Sequence, residues 1–274
     1  MTLGSTLTAL VLAAALVLAA ALSPDAAKAQ TKPTIAALPG PPPSSAIFIG
    51  NSFFYYNNGM HNQVLGLIRA ADPGYKFRTT MATISGSGID WHDVDSYFRP
   101  NAVGRYSFDD NNNVVFNKID KLFDVAIVMD CSQCPIHPEL ESVFTDHVMR
   151  NTATIRKHGA EPVLFMSWAY ADKPEMTAEL AEAYTRAGNA HKALVVPAGL
   201  AFARAIAKRP GLGLYASDKR HPSPAGTYLA AATTYAALTG KSPVGLSFAA
   251  GLDAATAAFL QEVAWATVID YHRK

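Results

Sequence analysis

From residue 46 onward, short apolar runs alternate with amphipathic segments, and few folds are open to a chain built that way. Apolar runs occupy residues 46–49, 124–129, 161–167 and 193–196. The run at 124–129 is apolar almost throughout after its opening Asp124, as suits a strand buried on both faces. Residues 76–83 are strand-like but less apolar, which suits a sheet edge. Between these runs the period changes. Met60, Val64, Leu67, Ile68 and Ala71 share one helical face within residues 57–71. Leu140, Val143, Phe144, Val148 and Ile155 repeat the pattern, as do Met176, Leu180, Ala183, Tyr184 and Ala187. Further helices are expected at 200–208, after the Ser223-Pro224 start signal, and at 254–271. Strand–helix alternation at this spacing predicts a single α/β domain over residues 46–274, a three-layer, doubly wound, mostly parallel sheet. Half of the 274 residues are hydrophobic, enough for a sizeable core. The polar stretch 100–113 reads as a surface insertion.

Upstream of residue 46 the character changes. Residues 6–22 are apolar and rich in Ala and Leu, Ser23-Pro24 interrupts them, and Ala27-Lys28-Ala29 is a small-x-small cleavage pattern. Residues 1–29 therefore read as a signal peptide, and the protein as exported, periplasmic or secreted; a retained membrane anchor is the alternative. Residues 30–45, with Pro33 and Pro41-Pro42-Pro43, read as an extended linker. A net charge of +1 supplies no basic field for nucleic acid. After cleavage no membrane partner is expected.

Two short stretches carry chemistry. The first is Gly50-Asn51-Ser52, at the exit of the first apolar run. Gly50 permits a sharp turn, and Ser52 then lies near a helix N-terminus, where free N–H groups favour developing negative charge. A plain helix cap is the competing reading. The second is Asp218-Lys219-Arg220-His221-Pro222, on a turn after the last predicted strand. An Asp three residues before a His can hold one ring nitrogen as donor and leave the other to accept a proton from a serine. Open α/β sheets bind ligands at the carboxyl ends of their strands, where both stretches fall.

Together with Ser85-Gly86 in the exit loop of the second strand, these motifs resemble the SGNH, or GDSL-type, hydrolases over about residues 47–231. The nearer likeness is to a bacterial subgroup with Gly-Asn-Ser in place of Gly-Asp-Ser. Residues 163–169 and 221–229 look like that subgroup too. The resemblance implies a flavodoxin-like fold and a serine esterase with Ser52 as nucleophile, His221 as general base and acid, and Asp218 orienting it. It implies an oxyanion hole from the Ser52 N–H, a second-block glycine and a third-block side-chain amide. Gly86 matches that glycine best, with Gly88 as the fallback. Such chemistry requires no metal or organic cofactor.

The third block departs from the family pattern. Met129-Asp130-Cys131-Ser132-Gln133-Cys134-Pro135 puts Cys131 where the amide belongs. A thiol is a weak donor, so Gln133, the nearest amide, is the candidate. A Cys131–Cys134 disulfide, plausible after export, would reshape the loop. Without a second Cys-x-x-Cys, these two thiols make a poor metal site. The same residues permit a rival, a thiol–disulfide oxidoreductase with Cys-x-x-Cys between a strand and a helix. A non-catalytic glycan-binding module on a degenerate hydrolase fold is the other.

Phe53, Phe54, Tyr55, Tyr56, Trp91, Trp168 and Tyr170 lie near strand exits. They either pack in the core or face a small-molecule or glycan ester. Export and family habit point to an O-acetyl group on a glycan. His92 is expected to be structural and Arg220 solvated.

Overall fold

The computed structural model describes residues 31–99, 102–103, 106–116, 119 and 121–273. The segment read as a signal peptide, residues 1–29, lies outside them. Among the described residues no helix is long and apolar enough to cross a membrane.

Strand β1 (Ser45–Gly50) leads into a four-residue helix, α1 (Ser52–Tyr55), and then α2 (Met60–Ala71). Strand β2 (Arg78–Thr83) and a 3-10 turn (Ile89–Trp91) precede α3 (Val94–Tyr97). A hairpin of β3 (Tyr106–Phe108) and β4 (Val114–Phe116) stands apart from the main sheet. The remaining elements are β5 (Val125–Val128), α4 (Glu141–Lys157), β6 (Glu161–Phe165), α5 (Met176–Ala190), β7 (Leu194–Val196), α6 (Ala198–Lys208), α7 (Pro224–Thr239) and α8 (Ala254–His272).

The main sheet is wholly parallel, in the order β2-β1-β5-β6-β7. It is the doubly wound α/β architecture expected, with β2 at an edge. Strand order reverses at β1, so the crevice beyond β1 and β5 is the topological switch point. Each face carries its own core. Phe48, Leu67, Phe165, Phe202 and Tyr228 belong to the layer that includes α2, α6, α7 and α8. Ile47, Ile49, Phe144, Leu164 and Tyr184 belong to the layer of α4 and α5.

Several local expectations need correction. The helix expected over 57–71 begins only at Met60, because Asn57, Asn58 and Gly59 all adopt left-handed backbone (φ 53°, 67° and 77°). Ala71 is exposed. The insertion at 100–113 contains β3 and overlaps a hairpin whose Tyr106, Phe108, Val114 and Phe116 form one exposed apolar face. Residues 31–44 lack regular structure but are no free linker. Thr31 binds the Glu182 carboxylate through its N–H (3.1 Å) and hydroxyl (2.7 Å), the Thr34 N–H reaches Asn189 Oδ1 (2.7 Å), and Ile35 and Leu38 pack on the core. Hydrogen bonding and apolar burial together make this stretch a strap on the domain.

Candidate active site

Gly50 closes β1 in a space too small for a larger residue. A Cβ there would lie 3.0 Å from the Phe54 ring and 3.2 Å from the Met129 methyl. The constraint is close packing rather than an unusual φ. Asn51 then caps α1, its Oδ1 accepting from the Phe53 N–H at 3.2 Å. Its Nδ2 donates to the carbonyls of Ser87 (3.0 Å) and Asp130 (3.2 Å), tying the β1 exit to the exit loops of β2 and β5. Capping thus falls to Asn51 and leaves the Ser52 hydroxyl for another partner.

That partner is His221, whose Nε2 lies 2.8 Å from Ser52 Oγ. His221 Nδ1 is hydrogen-bonded to Asp218 Oδ2. Asp218 Oδ1 accepts from the N–H groups of Arg220 (3.0 Å) and His221 (2.9 Å), so the three-residue spacing closes a turn around the carboxylate. The His221 hydrogen bond, and then the Arg220 N–H, hold the Asp218 carboxyl at about 2, below the ordinary carboxylate range. It stays ionised across neutral pH and loses its charge only as pH falls through that value.

Aromatic packing fixes the imidazole. Tyr56 stacks on it at 4.2 Å and 11°, and Phe53 meets it edge-on at 5.5 Å. Trp168 stacks between Phe53 (4.6 Å) and Phe202 (4.2 Å), and its indole N–H donates to the Arg220 carbonyl at 2.9 Å. Phe53, Phe54, Trp168 and Tyr170 are therefore core residues, whereas Trp91 is 60% exposed.

Around Ser52 stand the two loops expected to supply oxyanion donors. Ile84 to Ser87 form a tight turn, closed by the Ser87 N–H on the Ile84 carbonyl, with Gly86 at φ 70°. That φ favours glycine. Ser85 Oγ lies 3.0 Å from the Tyr55 hydroxyl, which joins the turn to α1. No hydrogen bond among the described residues uses the N–H of Ser52 or of Gly86, so both are open to a ligand. Gly88 lacks the left-handed backbone of Gly86. His92 is buried, with Nε2 3.1 Å from Ser87 Oγ and Nδ1 3.0 Å from the Tyr97 hydroxyl. Burial lowers its pKa, which suits a neutral structural imidazole supporting this loop.

In the β5 exit loop Cys131 and Cys134 form a disulfide. A 3-10 turn follows at Cys134–Ile136, and α4 starts only at Glu141. The pair therefore does not sit at the start of an α-helix, as the redox rival requires. Nor does it offer thiolates to a metal, although Asp130 lies beside both sulfurs. Gln133 is half-buried in this loop, and its side-chain amide makes no hydrogen bond among the described residues. Arg220 is exposed, as expected, with its guanidinium 4.8 Å over the Tyr170 ring, and the Tyr170 hydroxyl is 2.5 Å from Ser132 Oγ.

Sequence reasoning passed over Tyr56 as a support of His221, and over two further residues. Asn57 donates through Nδ2 to the Pro222 carbonyl and to Thr227 Oγ1, both at 2.8 Å. Asp130 is only 2% exposed, and burial pushes its carboxyl up to about 6 despite N–H bonds from Ile89 and Cys131. A buried acid at a strand exit was the available signal.

No protein-family model matches the sequence, and no curated protein matches it. Solved structures do match. A DUF4886 family protein from Bacteroides uniformis superposes with a TM-score of 0.58 at 18% identity, over 84% of this chain and 96% of that one. A protein assigned to the SGNH hydrolases, from Slackia heliotrinireducens, gives 0.50 at 20% identity over 71% and 98%. The acetylxylan esterase Axe2 of Geobacillus stearothermophilus gives 0.51 at 17% identity over 72% and 94%. The fold is that of the SGNH hydrolases.

Proposed function

We propose that this chain is an exported serine esterase of the Gly-Asn-Ser subgroup of SGNH hydrolases, its domain preceded by a cleaved signal segment over residues 1–29. Its substrate is a carboxylic ester, specifically an O-acetyl group on a glycan. The reading rests on the hydrogen-bonded line from Asp218 through His221 to Ser52.

In this reading Ser52 Oγ attacks the ester carbonyl carbon and passes its proton to His221 Nε2. Asp218 holds the other ring nitrogen as donor and stabilises the imidazolium. The carbonyl oxygen becomes an oxyanion facing the N–H groups of Ser52 and Gly86, with the Gln133 amide as third donor. Collapse expels the alcohol oxygen, which takes the proton from His221, and leaves Ser52 acylated. Water then attacks the acyl-enzyme, His221 removes its proton, and the acid departs with Ser52 restored. Ester and water have become acid and alcohol.

The glycan assignment draws on export and on the half-buried Tyr55 and Tyr56 and the exposed Trp91 around the second-block loop. Aromatic faces of this kind suit sugar rings. An acetylxylan esterase among the fold neighbours agrees with it.

The test compares wild type with Ser52→Ala on p-nitrophenyl acetate, then follows acetate release from acetylated xylo-oligosaccharides. Loss of both activities in the variant is expected. Equal rates in the two proteins would sink the esterase and favour a glycan-binding module.

A further inference from the structure

We infer that Asp130 is a positioning residue for the oxyanion site, its buried side chain latching the second- and third-block loops together behind Ser52. Its catalytic consequence rests on the esterase reading above. One residue here touches four elements. Asp130 Oδ1 accepts from the Ile89 N–H in the β2 exit loop and from the Cys131 N–H in its own loop, both at 2.7 Å. The Asp130 carbonyl accepts from Asn51 Nδ2 beside the nucleophile. The Asp130 N–H points to the Tyr184 hydroxyl of α5 at 3.4 Å. The loops so joined carry Ser52, Gly86 and Gln133.

The second carboxylate oxygen marks this as more than packing. Oδ2 is buried and has no hydrogen-bond partner among the described residues. Leaving a buried carboxylate oxygen unpaired is unfavourable, and a purely structural position would be filled as well by a neutral group. Two N–H groups converging on one charged oxygen are held more tightly than on an amide oxygen. Tight convergence is what a set of oxyanion donors spread over three loops requires, because displacement by about 1 Å can lower the rate by about 10²-fold.

The test measures kcat and KM on p-nitrophenyl acetate for wild type, Asp130→Ala and Asp130→Asn. Asp130→Ala removes the acceptor; kcat should fall by about 10²-fold with KM little changed. Asp130→Asn keeps an acceptor oxygen without its charge and should recover only part of that loss. A folded Asp130→Ala enzyme with wild-type kcat, or one changed only in KM, overturns the inference. Amide proton resonances provide the second readout, independent of turnover. In Asp130→Asn the Ile89 and Cys131 N–H signals should move upfield while staying protected from exchange. Unmoved signals overturn the latch whether or not Asp130→Ala folds. Failure of the esterase reading shows separately, as Ser52→Ala turning over like wild type while the Ile89 and Cys131 signals still respond.

Discussion

The Asn57 carboxamide donates to the carbonyl of Pro222, the residue immediately after His221. This bond spans the two halves of the candidate site, since Asn57 follows the helix that begins with Ser52. The same amide reaches Thr227 on α7, so the turn bearing His221 is pinned from the nucleophile's side. Asn57 pays for this with left-handed backbone, a conformation costly to most residues but mild for asparagine.

Removing the amide should release the His221 turn. Asn57→Ala and Asn57→Gly both lose the two hydrogen bonds, worth about 1–3 kcal/mol in total. Only alanine adds backbone strain. We expect kcat to drop about tenfold in both, with the melting temperature lower for alanine. A glycine variant with wild-type kcat would refute the role of the amide.

Tyr56 offers a test of the imidazole's packing. Tyr56→Ala removes the ring stacked on His221 and should reduce kcat by up to about tenfold, the scale of one aromatic pair. Tyr56→Phe keeps the ring and should keep the rate. Equal losses in both variants would assign the effect to the hydroxyl instead.

The disulfide closes a short ring around Gln133. Replacing Cys131 and Cys134 together by serine should lower stability by about 2 kcal/mol, the chain-entropy value for so small a loop. If Gln133 is a donor, kcat should fall as well, and dithiothreitol should reproduce the loss on wild type. Denaturant melts and initial rates on the same samples separate the two effects.

Asp130 makes stability depend on pH with a defined sign. Its carboxyl titrates at about 6 in the folded protein, against an ordinary value of 3.8. Below pH 4 it is protonated in both folded and unfolded chains. As pH rises from 4 through 6 the unfolded chain ionises first, so the folded state loses about 3 kcal/mol from this group. Urea melts between pH 4 and 7 should show that decline in wild type and a flatter curve in Asp130→Asn. Parallel curves would show that the burial of this carboxylate has no energetic consequence.

What could be read in the chain was local. Ser52 and the pair Asp218 and His221 sit in short motifs at strand exits, where chemistry depends on spacing alone. Strands β1 and β5 announce themselves because both faces are buried. The rest depended on contacts remote in sequence. Asn57 looks like an ordinary turn residue until its partners, 165 and 170 residues away, are known. Helix α7 is buried almost all round, so Ser223 and Pro224 marked its start while no face marked its course. The hairpin at 106–116 has strands of three residues, too short for alternation to register beside the polar run Asp109 to Asn113. The prolines before Ser44 suggested a tether, and nothing local revealed that Thr31 and Thr34 have partners on α5.

That strap sets an order of events on the growing chain. Thr31 and Thr34 leave the ribosome early, yet Glu182 and Asn189 follow 151 and 155 residues later. This earlier of the two segments can be sealed only once α5 exists. A cut after Ala29 leaves these contacts intact, whereas one after Ser44 uncovers the surface beneath Ile35 and Leu38.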